Sequence, residues 1–219
     1  MLSYPCSIVV ASAYLAPIQY YAHLMAANTI VEDIGEHFVK QSYRTRCYIA
    51  SPQGKLALTL PIERTGDTSH TPICDIRLSD HGRWQHQHWQ AIQTAYENTP
   101  FFEYYADELR PHYEYPARYL WEFNASLQTL MLDWLNLDIE VTRSYTYVDA
   151  STYDAIDLRT LIHPKIPHTA DTYFALQPYY QVFGQHLSFL PNLSILDLVF
   201  NMGPEGLLVL RDSIHSSSC

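Results

Sequence analysis

Residues 178–205 have the sequence PYYQVFGQHLSFLPNLSILDLVFNMGPE, which predicts a helix around which the rest of the fold packs. Pro191 breaks the chain before the helix, Asn192 is its candidate N-cap, and Gly203 followed by proline is a typical helix end. Between these limits the residues are apolar on nearly all sides. This pattern predicts a helix buried in the core.

Three polar residues interrupt the apolar helix. Ser194, Asp197 and Asn201 share one face, because they follow one another at spacings of three and four residues. Burying a carboxylate is costly unless donors surround it. One interpretation is therefore structural: Asp197 anchors a backbone turn or pairs with an arginine such as Arg159. The other is a functional cleft with Asp197 as a catalytic residue. Its substrate-binding residues would be Tyr180, Gln181, Asn192, Ser194 and Asn201.

The composition predicts one compact domain over residues 1–219. Apolar residues make up 47% of the chain and charged residues 16%, which favours a globule over disorder. The chain is long enough to bury a core without disulfides. The last residues, 213–219, are polar and are expected to fray.

The net charge of the chain is −10, from 13 basic and 23 acidic residues. Nucleic-acid binding needs a basic surface, and an acidic membrane surface would repel this chain, so neither partner is expected. The four cysteines show no paired spacing, and no secretion signal or long apolar run is present. We therefore expect a cytoplasmic protein with reduced thiols and no membrane insertion.

The N-terminal part predicts a β-α-β unit. A strand over residues 7–13 leads to Pro17, which suits the first turn of a helix, and a second strand follows. A proline in this place resembles the nucleotidylyl transferases, which carry histidines two and five residues after it. This chain has Gln19 and Ala22 there, with His23 one place off, so the analogy concerns architecture only.

A β-hairpin is predicted next, from extended patterns over residues 38–50 and 56–60 with a turn over residues 51–54. On its first strand Lys40, Arg44 and Arg46 fall on one face, where they can bind a phosphate or carboxylate group of a substrate. The alternative is a solvated outer face whose charges pair with acidic neighbours.

The second half is mainly helical, so the predicted fold class is mixed α and β: an N-terminal β-α-β unit and hairpin followed by helices. Periodicity predicts helices over residues 84–97, 101–109 and 116–136, the second ending before Pro111. In the third, the apolar stripe that includes Phe123 is expected to be core. The long connection over residues 149–178 has the character of a binding loop.

His86 and His88 form the short motif that most resembles a metal-binding or catalytic pair. On a helix, side chains two residues apart point about 200° away from each other around the axis, so these two histidines are not expected to bind one metal ion. His88 lies near the buried stripe as a core histidine, whereas His86 is the candidate general base; its alternative is ordinary surface. No phosphate-binding loop, dinucleotide motif or zinc tetrad occurs, and no cofactor is expected.

Five segments together resemble the WbqC-like protein family: YLAPIQYYAHLMAA, YRTRCYI, DIRL, WQHQHWQAIQTAYENTPFFEYYADEL and YYQVF with FLPNLSILDLVFNMGPE. The family occurs in bacterial O-antigen and polysaccharide gene clusters, and its members are described as glycine or aminoacyl transferases. The resemblance implies transfer of an acyl or aminoacyl group to a nucleotide-linked sugar or polysaccharide precursor. The substrate would be an anionic small molecule or a carrier-linked group. The alternative function is a non-catalytic binding module for a phosphorylated or carrier-bound ligand.

Overall fold

The computed structural model describes residues 7–63, 66, 68–185 and 188–215. Its strands are β1 (Ser7–Ala11), β2 (Thr29–Asp33), β3 (Arg46–Ser51), β4 (Gly54–Thr59), β5 (Thr142–Ser144) and β6 (Ile156–Asp157). Its helices are α1 (Ile18–Ala26), α2 (Trp84–Tyr96), α3 (Phe102–Glu114), α4 (Leu120–Trp134), α5 (Ile195–Met202) and α6 (Gly206–Asp212). The predicted mixed α and β fold, with strands early and helices later, is confirmed.

The main sheet is parallel and has the strand order β5-β2-β1-β6. Ile8 of β1 lies opposite Ile30 of β2 on one side and Ile156 of β6 on the other. β1 is buried almost throughout and is correspondingly apolar, as is typical of a central parallel strand. Because all four strands point the same way, their carboxyl ends form one edge, which we call the carboxyl edge of the sheet.

The hairpin β3–β4 is shorter than predicted. Residues 38–45 form bends and turns instead of a strand, and Gln41 has a φ of 58° in the left-handed region. The alternation of polar and apolar residues therefore did not correspond to a strand before Arg46. A strand would have placed Lys40, Arg44 and Arg46 on one face, and the turns remove that geometry.

The helices pack as predicted, with one correction. Phe123 and Leu127 of α4 are fully buried, as the apolar stripe indicated. Helix α3 does not end before Pro111 but continues to Glu114, with Tyr115 N–H donating to the Pro111 carbonyl. Proline removes only one helical bond here, that to the carbonyl of Asp107, and Asp107 is exposed to water. None of the helices in the described ranges is long and apolar enough to span a membrane.

The predicted fraying does not begin at Ser213. Ser213 and Ile214 are buried, Ser213 O accepts a bond from Ala175 N–H, and Ile214 bridges to Phe174. These contacts hold the chain end against the loop that follows β6. The rest of the predicted tail, residues 216–219, lies outside the described residues.

Candidate functional site

An open cleft of about 660 Å³ lies at the carboxyl edge of the sheet. The loops that follow β2, β5 and β6 all contribute to it. Its lining includes Glu36, Arg44, Tyr147, Asp157, Arg159, His163 and Lys165. We call it the carboxyl-edge cleft. In open parallel sheets, ligands bind outside the carboxyl ends of the strands, beside the strand where the connections change direction. Here β2 and β6 flank β1 on opposite sides, which is such a place.

Asp33, the last residue of β2, organises the floor of the cleft. One of its oxygens accepts bonds from Gly35 N–H and Glu36 N–H at 3.0 and 2.9 Å. The other accepts from Val148 N–H at 3.0 Å and from Arg159. Asp33 is fully buried and all its acceptors are used, so its role is to join the loops that form the cleft.

Arg159 connects that floor to the open part of the cleft. Its guanidinium pairs with Asp33 and with Asp157, the latter through two bonds of 2.9 and 2.6 Å. Tyr147 covers it, with the ring centroid 4.7 Å from the guanidinium carbon. Partial burial raises the pKa of Asp157, but the bonds and charge of Arg159 outweigh burial and lower it. Asp157 is therefore an ionised carboxylate whose side chain is 38% exposed.

Arg44 is held rigidly on one side of the cleft. Its Nε and Nη2 donate to the two carboxylate oxygens of Glu36 at 2.8 and 2.6 Å. This fork leaves the remaining nitrogen, Nη1, without a hydrogen bond to the described residues. The Arg44 side chain is only 4% exposed, but Nη1 is not a fully buried atom and therefore reaches the surface of the cleft. An arginine fixed in this way offers a pre-positioned donor to an anion.

The mouth of the cleft carries further donors. His163 and Lys165 lie on the turn that follows β6, and the Nδ1 of His163 accepts a bond from Lys165 N–H at 3.1 Å. The Lys165 side chain is exposed and makes no ion pair within the part of the chain that the structure describes. The cleft therefore has unfilled donors at its mouth and a neutralised floor.

The N-terminus of α1, by contrast, cannot bind an anion. Ile18 N–H donates to Leu193 O, and Gln19 N–H donates to Asn192 Oδ1, both at 3.0 Å. Asn192 was predicted as the N-cap of α5, but Ser194 caps that helix by accepting from Leu196 N–H. Asn192, with a φ of 52°, caps α1 instead. Its amide oxygen fills the position that a phosphate occupies at helix N-termini of nucleotide-binding folds.

His23 is also unlike a nucleotide-binding histidine. It is buried, and its Nε2 lies 2.6 Å from Asp171 Oδ2, which accepts a second bond from Gln19 at 2.7 Å. Burial raises the pKa of Asp171, but these bonds outweigh burial and lower it. This buried group ties the long loop to α1.

Asp197 lies in a closed group that we call the Asp197 cluster: Asp197, Tyr96, Tyr179 and Gln181. The hydroxyl of Tyr96 donates to one carboxylate oxygen at 3.1 Å, and the Tyr179 hydroxyl and Gln181 Nε2 donate to the other, Gln181 at 2.8 Å. The carboxylate is fully buried, and burial raises its pKa to about 6 against those hydrogen bonds. The predicted alternative of an ion pair with Arg159 is wrong, because Arg159 belongs to the carboxyl-edge cleft.

The prediction that the polar face of α5 borders an open cleft is wrong. Ser194 and Asn201 are 1% and 3% exposed, and Asn201 accepts from Val182 N–H and donates to Asp197 O. Gln181 is buried as well, whereas Tyr180 points outward and is 50% exposed. The polar face is closed by the loop that precedes α5 and by Tyr96 of α2, so the Asp197 carboxylate is bound by side chains and not by the backbone turn or the arginine that were predicted as structural partners.

The three predicted cations are divided between two cavities. Arg44 lines the carboxyl-edge cleft, whereas Lys40 and Arg46 line a second pocket, beside Thr59, to which Arg46 Nε donates at 3.2 Å. The prediction that they project together is wrong, because residues 38–45 turn instead of forming a strand. Arg44 remains a candidate for anion binding in the cleft.

His86 and His88 both lie on α2, as predicted, and their surroundings differ. His88 is buried, its Nδ1 lies 2.9 Å from the Tyr14 hydroxyl, and burial lowers its pKa to about 4. His86 is exposed and lines a groove between α2 and α3, away from the residues of the carboxyl-edge cleft. Its catalytic role stays a prediction. Among the described residues no group of three histidine, cysteine or acidic side chains could hold a metal ion.

Comparison with known proteins identifies relatives but no solved structure. The sequence model of the WbqC-like protein family matches residues 12–208. The "Uncharacterized protein Rv1507c" of Mycobacterium tuberculosis is 26% identical over 227 aligned residues, covering 93% of this chain and 96% of that protein. No solved structure matches the chain significantly.

Proposed function

The chain belongs to the WbqC-like protein family, and from that premise we propose that it transfers an acyl or aminoacyl group to a nucleotide-linked sugar or a related polysaccharide precursor. The phosphate-bearing substrate would bind in the carboxyl-edge cleft. The proposed setting is the cytoplasmic assembly of bacterial polysaccharides such as O-antigen, with a small-molecule or carrier-linked anionic substrate.

One observation carries the proposal: the cleft combines a neutralised floor with unfilled donors at its mouth. Arg44 Nη1 and the Lys165 ammonium have no partners among the described residues, and both are on the cleft lining. Tyr147, which is 68% exposed, adds an aromatic surface on which a ring can pack. Cationic donors beside an aromatic ring suit a ligand that has both phosphate and ring groups.

The proposed reaction needs few protein groups. A hydroxyl or amine of the acceptor forms a bond to the carbonyl carbon of an activated acyl donor, and the bond from that carbon to the leaving group breaks. The acceptor loses a proton, which a base must receive. Asp157 is the half-exposed, ionised carboxylate of the cleft and is our candidate for that base.

A second candidate function is a binding module without turnover. The observation that favours it is that both acidic residues of the cleft, Glu36 and Asp157, already bind arginines. Such pairing leaves the cleft well suited to hold an anion and less suited to move a proton. Ligand binding is common to both functions, and turnover separates them.

The test begins with a thermal-shift screen of nucleotide-linked sugars, since a ligand of the native protein raises its melting temperature. Ligands that bind are then incubated with activated glycine and acetyl donors, and mass spectrometry looks for the acylated sugar. We expect Lys165→Gln to reduce binding and product, and Lys40→Gln, a lysine of the second pocket, to leave both unchanged. Binding that depends on Lys40 and not on Lys165 would contradict the proposal.

A further inference from the structure

His163 has a ring orientation that fixes which of its nitrogens carries the proton. The Nδ1 atom accepts a hydrogen bond from the backbone N–H of Lys165 at 3.1 Å. A nitrogen that accepts a bond cannot itself hold a proton, so the neutral ring must carry its proton on Nε2. A second bond, from Ile166 N–H to the backbone carbonyl of His163 at 2.9 Å, closes the turn that carries the ring.

The opposite edge of the ring is free to meet a ligand. The Nε2 atom makes no hydrogen bond to any described residue and is not among the buried unsatisfied atoms, so it is open to solvent. His163 lines the same cleft as Arg44 and Lys165. Three donors of different kinds, a guanidinium nitrogen, an imidazole N–H and an ammonium, thus border one cavity.

We propose that His163 is a neutral hydrogen-bond donor, through Nε2–H, to a phosphate-type oxyanion that Arg44 Nη1 and Lys165 Nζ also contact. The proposal deepens the proposed function and rests on the same cleft. It assigns His163 to ligand binding and excludes it as the base that removes the acceptor's proton, since its acceptor nitrogen is already used by the backbone.

The charges around His163 agree with a neutral ring. Burial lowers its pKa, and the positive charges of Arg44 and Lys165 lower it further. The remaining titratable groups of the cleft are Glu36, His37, Tyr147, Asp157 and Arg159, and the two acids are held by arginines. An imidazole between cations favours the uncharged form, which keeps the Nε2 proton and still donates it to an anion.

Two substitutions separate the two edges of the ring. His163→Asn keeps an oxygen near the Nδ1 position, which can accept from Lys165 N–H, but it has no donor at the Nε2 position. His163→Gln places an amide N–H₂ near the Nε2 position. His81→Asn, an exposed histidine on another turn, is the matched control.

The experiment measures pyrophosphate binding by calorimetry and the ring nitrogens by ¹⁵N NMR at neutral pH. We expect His163→Asn to fold normally and weaken pyrophosphate binding about tenfold, His163→Gln to stay within about threefold of wild type, and His81→Asn to bind as wild type. The NMR spectrum should show a neutral His163 protonated on Nε2, whose Nε2 signal moves when pyrophosphate is added.

The proposal is overturned if the free protein has a charged His163 or one protonated on Nδ1. It is also overturned if the Asn variant binds pyrophosphate as wild type does, or if the Gln variant loses as much affinity as Asn. Absence of pyrophosphate binding by wild type would overturn it together with the proposed cleft. Pyrophosphate binding with the expected NMR signature, but without any acyl transfer, would leave this inference standing and contradict only the transferase activity.

Discussion

The Asp197 cluster and the carboxyl-edge cleft use the same kinds of side chain in opposite ways. In the cluster a buried carboxylate accepts three hydrogen bonds from Tyr96, Tyr179 and Gln181, and the carboxylate is 0% exposed. In the cleft the carboxylates bind arginines, and donors remain open at the mouth. The first arrangement is closed, and the second can still accept a ligand.

This difference separates a polar group whose hydrogen bonds are all made within the protein from one that keeps hydrogen-bonding capacity for a ligand. Both regions contain an acid in an unusual setting, and burial raises the pKa of Asp197 to about 6. A displaced pKa reports burial, however, and a site also needs access and unfilled hydrogen-bonding capacity. We therefore propose that Asp197 serves the stability of the fold and that the cleft is the part of the molecule that binds a ligand.

The largest expected effect tests the floor of the cleft. Arg159→Met removes the partner of Asp33, which would then be a fully buried carboxylate without its countercharge. We expect a loss of about 3–5 kcal/mol in the free energy of unfolding, measured by denaturant titration. A loss well below 1 kcal/mol would show that the floor of the cleft does not depend on the Arg159–Asp33 pair. The distinction between a floor that is closed by ion pairs and a mouth with open donors would then be wrong.

The next effect is the pH dependence that Asp197 gives to stability. The pKa of Asp197 is about 6 in the folded protein and about 3.9 in the unfolded chain. The stabilisation that comes from protonating Asp197 is therefore complete below about pH 3.9 and is lost as the pH rises through about 6. At about 1.4 kcal/mol per pH unit, neutral pH costs the protein about 3 kcal/mol relative to strong acid.

Other acids oppose this trend, because the pKa values of Asp157 and Asp171 are lowered in the fold and their contributions are lost in acid. The difference in unfolding free energy between wild type and Asp197→Asn isolates the Asp197 contribution. The free energy of unfolding of wild type should increase relative to that of Asp197→Asn as the pH falls below about 6. A difference independent of pH would contradict the buried, ionisable Asp197.

A smaller effect is expected from Asp197→Asn at neutral pH. The amide has one acceptor oxygen where the carboxylate has two, so it cannot accept from Tyr96, Tyr179 and Gln181 as the carboxylate does, and at least one of these bonds is lost or reversed. We expect a loss of about 1–3 kcal/mol in stability, with ligand binding in the cleft retained by the folded protein. Wild-type stability together with lost binding would instead make Asp197 a functional residue.

The smallest effect on stability is expected at the mouth of the cleft. Lys165 is exposed and makes no ion pair to the described residues, so Lys165→Gln should change the unfolding free energy by less than about 0.5 kcal/mol. Thermal denaturation without ligand checks this. A larger loss would mean that Lys165 supports the fold, and its use as a binding probe would then be compromised.

Much of the fold was predictable from local patterns. Apolar periodicity identified α4, and the apolar run before Gly203 identified α5. Gly203 has a φ of 56°, and the Phe101 ring lies so close to it that a side chain with a Cβ would clash there. Patterns failed where tertiary contacts decide the backbone. The alternation over residues 38–45 did not form a strand, and Asn192 caps a helix distant in sequence.

The site was predictable only in part. Arg44 and the loop over residues 149–178 were identified, whereas Glu36, Asp157 and Tyr147 were missed and Arg159 was paired with the wrong acid. A usable signal existed, because β2 and β6 each end on an aspartate, Asp33 and Asp157, and the carboxyl ends of parallel strands share one edge. Which polar residues would be closed off could not be predicted, since that depends on contacts from elements distant in sequence, such as Tyr96 of α2 on Asp197.

The most direct test of the account is the affinity of one nucleotide-linked sugar, chosen by the thermal-shift screen, for wild type, Lys165→Gln and Asp197→Asn. Calorimetry is run at a temperature where all three are folded. We predict that Lys165→Gln weakens binding about tenfold, as the loss of a charge-assisted bond requires, and that Asp197→Asn binds as wild type does. Binding lost in Asp197→Asn and kept in Lys165→Gln would contradict the assignment of the cleft to function and of the Asp197 cluster to structure.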